Sequence, residues 1–140
     1  MELESLIQDL ASADRMLWVI GGGGVVSENA GKDITEATVR GGYITVEADS
    51  WHLHMKLDLV TGVQFVEAED HGFVPFLYYV RFSDAQEETL LRVYFPNPYL
   101  DDDEKPTEFQ PEKLKLFEDY RDRYVGQDGI IFVKRPMGEV

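Results

Sequence analysis

The chain has 140 residues, with 13 lysine and arginine residues against 27 aspartate and glutamate residues, so its formal net charge is −14, and it contains no cysteine. This length suits one hydrophobic core, and we predict a single domain over residues 1–140. The lack of cysteine excludes disulfides, thiolate metal sites and cysteine nucleophiles. Without a cluster of lysine and arginine, so acidic a chain is not expected to bind nucleic acid or anionic membranes, which are recognised by neutralising their phosphates.

The N-terminus does not resemble a targeting segment. It begins Met1-Glu2-Leu3-Glu4, whereas a secretory signal begins with a basic stretch. No apolar run approaches the roughly 18 residues of a membrane span. We therefore expect a cytoplasmic protein with no membrane partner.

The first part of the chain changes its apolar period. Leu3, Leu6, Ile7 and Leu10 recur at spacings of three and four, which predicts a helix over residues 3–14. Residues 16–20 are then a short apolar run that ends in four glycines, and residues 25–26 resume it. This pattern predicts a strand, a glycine turn and a second strand, with residues 27–31 as a turn.

Strand-like segments then recur about every ten residues, separated by short turn-forming clusters such as residues 70–72. This spacing predicts an antiparallel meander. A polar, proline-punctuated connector over residues 96–106 precedes a second helix from Pro111 to Tyr124, and residues 129–133 can add an edge strand. The predicted strand segments are residues 38–40, 43–48, 51–57, 62–67, 76–83 and 89–95.

Several familiar functional motifs do not fit. The run Gly21 to Gly24 is not followed by a phosphate-loop sequence, so it is interpreted as a tight turn. The chain has three histidines, His52, His54 and His71, but no nucleophile elbow to go with them. The acidic run over residues 101–104 lacks the alternating spacing of a calcium loop and is interpreted as a solvated segment.

The segment from Trp51 to Leu57 carries the strongest chemical signal. On a strand its side chains alternate between faces, which places His52, His54 and Lys56 together, opposite an apolar stripe. Two imidazoles at this spacing lie roughly 6–7 Å apart and could share an ion, although no third ligand is visible. Solvent-facing strand histidines without a function are the alternative interpretation.

The order and spacing of five segments resemble the haem-utilisation carrier family of the ChuX, HutX and HemS type. Members of that family show a Gly-Tyr strand, a histidine followed by an aliphatic residue, an aliphatic strand that ends in an acid, and two further strands before a charged loop and a closing helix. The similarity covers about residues 16–125. The matching segments here are residues 42–43, 51–55, 63–67, 79–84 and 91–95.

This resemblance implies an α+β fold with a large antiparallel sheet, an N-terminal helix and a C-terminal helix, and a chain that pairs into a homodimer. It also implies haem as the ligand. The family's histidine falls on His54, the expected axial ligand and the one expected metal-binding residue, with His52 beside it. A second histidine that some members carry falls near residues 20–22, where this chain has none. The cations expected near the haem propionates are Lys56, Arg81, Arg92 and Arg40.

Three functions are compatible with the sequence. The expected one is a haem-binding and haem-trafficking protein that hands haem to a protein partner. The alternative is a non-catalytic protein-interaction module with the same fold that has lost haem binding. An enzyme that degrades haem is the third and least favoured, since it needs an electron donor, and we predict no catalytic residue.

Overall fold

The computed structural model describes residues 2–70 and 72–136, so His71 of the predicted 70–72 turn lies outside the described residues. The helices are α1 (Glu2–Ser12) and α2 (Pro111–Tyr124), close to the bounds that the sequence predicts. A short 3-10 helix, Leu57–Leu59, follows the fifth strand. In chain order the strands of the described residues are β1 (Leu17–Gly21), β2 (Val26–Ala30), β3 (Ile34–Arg40), β4 (Tyr43–Ala48), β5 (His52–Lys56), β6 (Gly62–Glu69), β7 (Phe76–Ser83), β8 (Thr89–Tyr94) and β9 (Ile131–Arg135).

The strands form two sheets. The large sheet has six strands in the order β2-β1-β8-β7-β6-β9, and the small sheet has three in the order β3-β4-β5. Neighbouring strands are antiparallel, except that β9 pairs parallel with β6 at the sheet edge. The predicted α+β class, with a large sheet and a helix near each end, is confirmed. The predicted meander is interrupted, because β1 pairs with β8 and the three strands β3 to β5 separate into their own sheet.

Strand β2 corrects one sequence prediction. Residues 27–31 were expected to form a turn, but Ser27 to Ala30 pair with β1 as the outermost strand of the large sheet. The Asn29 side-chain amide also donates to the Trp18 carbonyl oxygen at 3.3 Å. Because most of an edge strand is exposed to solvent, this strand is rich in polar residues, which are also typical of turns.

One core joins the two helices to both sheets. The apolar stripe of α1 and the aromatic face of α2 lie against one face of the large sheet and the inner face of the small sheet. Phe117 of α2 is central, with its ring centroid 5.2 Å from those of Tyr78 and Phe95. The rings of Trp18 in the large sheet and Trp51, which precedes β5, have centroids 5.9 Å apart, and this contact connects the two sheets. Burial of this shared face accounts for the separation of the strands into two layers.

Asp9 ties the two helices together. The Tyr120 hydroxyl donates to the Asp9 carbonyl oxygen at 2.8 Å, and the Tyr124 hydroxyl donates to the Asp9 carboxylate. Arg123 pairs with the same carboxylate at 3.1 Å. Burial, followed by the hydrogen bond to Asp9, raises the pKa of Tyr124. The C-terminal helix is therefore fixed to the N-terminal helix by polar contacts as well as by packing.

The other face of the large sheet, here called the second face, is covered by neither helix. Val19, Val66 and Tyr79 are buried on this face, yet they do not belong to the core cluster. Tyr79 packs against Tyr94 with ring centroids 4.7 Å apart. The second face thus has buried apolar side chains of its own, outside the core cluster.

Neither helix in the described part of the chain has the length and apolarity that a membrane-spanning helix needs.

Buried tyrosines predict a loss of stability at alkaline pH. Burial, with a smaller contribution from Glu67, raises the pKa of Tyr78 from 10.0 to about 12. Burial also raises the pKa values of Tyr94 and Tyr120. Because unfolded tyrosines lose their protons near pH 10.0 and folded Tyr78 does so only near pH 12, stability is full below the first value and falls between the two. Urea midpoints across this range check the prediction.

Tyr78→Phe is the control, because it removes one such tyrosine and its urea midpoint is expected to fall less steeply with pH. Tyrosinate absorbance in the native protein gives the second measurement. If every tyrosine of the folded chain titrated near the ordinary pKa, the prediction would be wrong.

Candidate functional site

A tight turn sets the register of β3 against β4 in the small sheet. Gly41 and Gly42 connect β3 to β4 with φ values of 60° and 83°. Positive φ at both central residues is the requirement of the two-residue turn whose twist matches that of a hairpin, and glycine adopts it without steric cost. The turn places Arg40 opposite Tyr43, and the next strand places Lys56 opposite Tyr43 on its other side.

Three rows of paired residues therefore cross the outer, exposed face of the small sheet. The row nearest the turn is basic, the middle row contains His54, and the far row is acidic and contains His52. Charge thus changes sign along the direction of the strands. The rows are Arg40, Tyr43 and Lys56, then Thr38, Thr45 and His54, then Glu36, Glu47 and His52.

The alternation predicted for β5 is confirmed. His52, His54 and Lys56 are exposed, and the intervening Leu53 and Met55 are buried. Four predicted site residues, those three and Arg40, accordingly share one face.

The two histidines differ in how their rings are held. Their ring centroids lie 5.3 Å apart in an edge-to-face arrangement. The Thr45 hydroxyl lies 2.8 Å from Nδ1 of His54, within hydrogen-bond distance. No hydrogen bond to His52, or to Nε2 of His54, occurs within residues 2–70 and 72–136. His54 therefore has one ring nitrogen engaged and the other available to a ligand.

A mostly apolar cavity of about 340 Å³ adjoins β5. Its polar lining comes from His54, Lys56 and Tyr43. Its volume lies toward the lower end of the range for small-molecule sites. The apolar lining residues are Ile20, Leu53, Met55, Leu59, Leu90 and Leu91.

Arg81 and Arg92 lie elsewhere, on the second face of the large sheet, where they are directly opposite each other. Arg81 donates to the Thr89 hydroxyl at 2.7 Å, and Arg92 donates to the Tyr94 hydroxyl at 3.1 Å. The Nε atom of Arg92 is buried without a hydrogen-bond partner. Neither arginine lines the cavity beside His54. The structure thus separates these two predicted site residues from the other four.

Two features of the site were not predicted from the sequence: Thr45, and the residues outside β5 that line the cavity. Alternation along β4 places Thr45 on the same face as Tyr43, but only the register shows that it faces His54. Leu90 and Ile20 reach the cavity through the arrangement of the two sheets, for which the sequence carries no local signal.

Among the residues that the structure describes, the histidine pair does not belong to a larger metal cluster. In the described part of the chain, no group of three or more histidine, aspartate or glutamate side chains could hold a metal ion. The face can therefore offer an imidazole to an ion that brings most of its own ligands, but it does not form a complete protein cage.

A model of a protein family matches residues 4–125, which is most of the chain. No curated protein matches the sequence significantly.

Several solved structures share the fold. Protein AGR_C_4470 from Agrobacterium tumefaciens aligns with a TM-score of 0.69 and 19% identity over 89% of this chain and 67% of its own. The haem-binding protein ChuX aligns with a TM-score of 0.68 and 14% identity over 87% of this chain and 72% of its own. The haem-binding protein PhuS from Pseudomonas aeruginosa aligns with a TM-score of 0.61 and 14% identity over 83% of this chain and 32% of its own. The fold that the sequence resemblance implied is confirmed, since the chain has the fold of ChuX and PhuS. The chain belongs to the family whose model spans residues 4–125.

Proposed function

We propose that this chain is a cytoplasmic haem-binding protein that carries haem between proteins, with His54 as the axial ligand. One observation carries the proposal: His54 lines an apolar cavity, with Nδ1 beside the Thr45 hydroxyl and Nε2 unengaged in the described residues. A neutral imidazole nitrogen is a common axial ligand of haem iron. ChuX and PhuS, which share the fold, are haem-binding proteins and support the proposal.

The donor set suits haem better than a bare metal ion. Haem iron already has four nitrogen ligands from its ring, so one histidine is sufficient, and no cluster of three protein ligands is found among the described residues. The bound group would supply the iron that His54 ligates. The cavity is small for a whole tetrapyrrole, so part of the ring would remain outside it, which suits a carrier that must release its cargo.

The charge gradient of the outer face suits the haem propionates. Arg40 and Lys56 lie at one end, and Glu36 and Glu47 lie at the other. We assign the propionates to Arg40 and Lys56, since carboxylates are attracted to that end and repelled from the acidic one. His52 is the neighbouring imidazole in the acidic row. Arg81 and Arg92 would contact haem only if it also reached the second face.

Replacement of His54 tests the ligand assignment. We expect His54→Ala to weaken saturable haem binding by roughly tenfold or more, because the axial bond is lost. His52→Ala is the matched control on the same strand face, and it should retain most of the affinity. The measurement is a haemin titration followed at the Soret band, with albumin as a competitor to exclude adsorption on apolar surfaces.

An unchanged Soret titration in His54→Ala would contradict the assignment of the ligand. If the wild-type chain showed no saturable binding at all, the proposed function itself would be wrong, and a role as a protein-interaction module would remain.

Charge reversal tests the assignment of the propionates. We expect the double variant Arg40→Glu, Lys56→Glu to weaken the binding of haem and to leave the binding of haem dimethyl ester nearly unchanged, because the ester carries no carboxylate. Lys32→Glu, which reverses an exposed lysine away from this face, is the control. Equal losses for haem and its ester would show that these cations act through something other than the propionates.

We also propose that two copies pair through the second face. The side chains that a second copy could cover there are the partly exposed ones, which are Leu77, Arg81, Arg92 and Tyr94. Arg81 and Arg92 form no ion pair with any carboxylate in the described residues. In a two-fold interface the same surface meets itself, so central arginines of one copy can meet acidic rim residues of the other. Acidic residues near the rim are Glu28 and Glu87.

Sedimentation velocity tests the pairing. The wild-type chain is expected to sediment as a dimer at micromolar concentration, and Leu77→Arg as a monomer, because a buried unpaired charge opposes association. Phe73→Arg, which replaces an exposed residue in the loop before β7, should remain dimeric. A monomeric wild-type chain would refute the proposal.

A further inference from the structure

We infer that Thr45 is the positioning residue of His54: its hydroxyl accepts a hydrogen bond from Nδ1–H, which leaves Nε2 unprotonated and able to ligate iron. This inference rests on the proposed function in one respect only, the assignment of His54 as the haem ligand. The bond itself is a property of the chain without haem.

The backbone brings the two side chains together. Thr45 of β4 and His54 of β5 are directly paired across the sheet, and the hydroxyl oxygen lies 2.8 Å from Nδ1. Directly paired residues have neighbouring Cβ atoms, and the branched threonine side chain is restricted at χ1. Within the described residues, Thr45 Oγ1 forms no other hydrogen bond. The hydroxyl is therefore dedicated to His54.

The chemistry of imidazole turns this contact into a selection of ring nitrogen. A neutral imidazole carries one proton, so a proton held at Nδ1 leaves a lone pair at Nε2. Histidines that bind metals usually donate their other ring N–H to a protein acceptor, which fixes both tautomer and ring orientation. The hydroxyl of Thr45 is the acceptor available here.

The same contact distinguishes the two histidines. The cross-strand partner of His52 is Glu47, and no hydrogen bond or ion pair joins them. The ring of His54, in contrast, is held on one side by Thr45 and touched on the other by the ring of His52. Of these two histidines, His54 thus has its ring held by a hydrogen bond before a ligand arrives, which lowers the cost of ordering it on binding.

NMR of the chain without haem tests the inference independently of cargo. Long-range proton–nitrogen spectra of histidine-labelled protein at about pH 8, above the ordinary histidine pKa, distinguish the two neutral tautomers. We expect the Nδ1–H form of His54 to dominate in the wild-type chain, to lose its preference in Thr45→Val, and to recover in Thr45→Ser. Equal urea midpoints for the three proteins would show that the fold is intact.

Haem release gives the second readout. Transfer of haem to an excess of apomyoglobin should be roughly 10- to 100-fold faster from Thr45→Val than from the wild-type chain, with Thr45→Ser close to the wild type. A dominant Nε2–H tautomer in the wild-type chain would overturn the inference, as would unchanged tautomers and release rates in Thr45→Val. Failure of the proposed function is distinguishable, because wild-type haem binding would then be absent while the Nδ1–H tautomer persisted.

Discussion

The strand register of the small sheet, whose first hairpin closes at Gly41 and Gly42, is the constraint on which the candidate site depends. Both glycines have positive φ, and this fixes the register of β3 against β4. A slip of one residue would move every side chain of a strand to the opposite face. The second hairpin, closed by the hydrogen bond from the Ala48 N–H to the Trp51 carbonyl oxygen at 2.8 Å, places Thr45 opposite His54 and Tyr43 opposite Lys56. Ile44 and Val46 then face the core. The basic row therefore depends on the first hairpin, and the contact between Thr45 and His54 depends on the second.

The separation into two sheets gives the molecule two distinct surfaces, the outer face of the small sheet and the second face of the large sheet. The small sheet turns its apolar face inward and presents a face whose charge changes from basic to acidic along the strands. The large sheet gives one face to the helices and leaves a second face with its own buried residues, Val19, Val66 and Tyr79. In our account the first surface binds haem and the second joins two copies.

Local patterns in the sequence predicted much of this fold. The bounds of β7 and α2 were predicted from apolar spacing and from Pro111, and the alternation along β5 was enough to place His52, His54 and Lys56 on one exposed face. Long-range pairing was not predictable in this way. The pairing of β1 with β8 assigns β7 and β8 to the large sheet, and alternation along these strands then places Arg81 and Arg92 on its second face, away from the cavity. Residues 26–30 form β2 because they pair with β1 at the edge of the large sheet, although their composition is typical of a turn.

The sequence likewise shows the candidate ligand but not the residue that holds it. A histidine on a strand face is visible in the sequence, whereas the hydroxyl that orients its ring is nine residues away in the chain and is found only through register. The sequence similarity indicated His54, and the structure adds a physical reason for preferring it to His52.

Chemical rescue tests the central claim most directly. The ferric haem complex of His54→Gly would be examined by absorbance and electron paramagnetic resonance, with and without added imidazole, beside His52→Gly. The account predicts that His54→Gly loses the wild-type spectra and that imidazole restores them, because the free base replaces the missing ligand, while His52→Gly needs no rescue. Wild-type spectra in His54→Gly without imidazole would contradict the claim that His54 is the axial ligand.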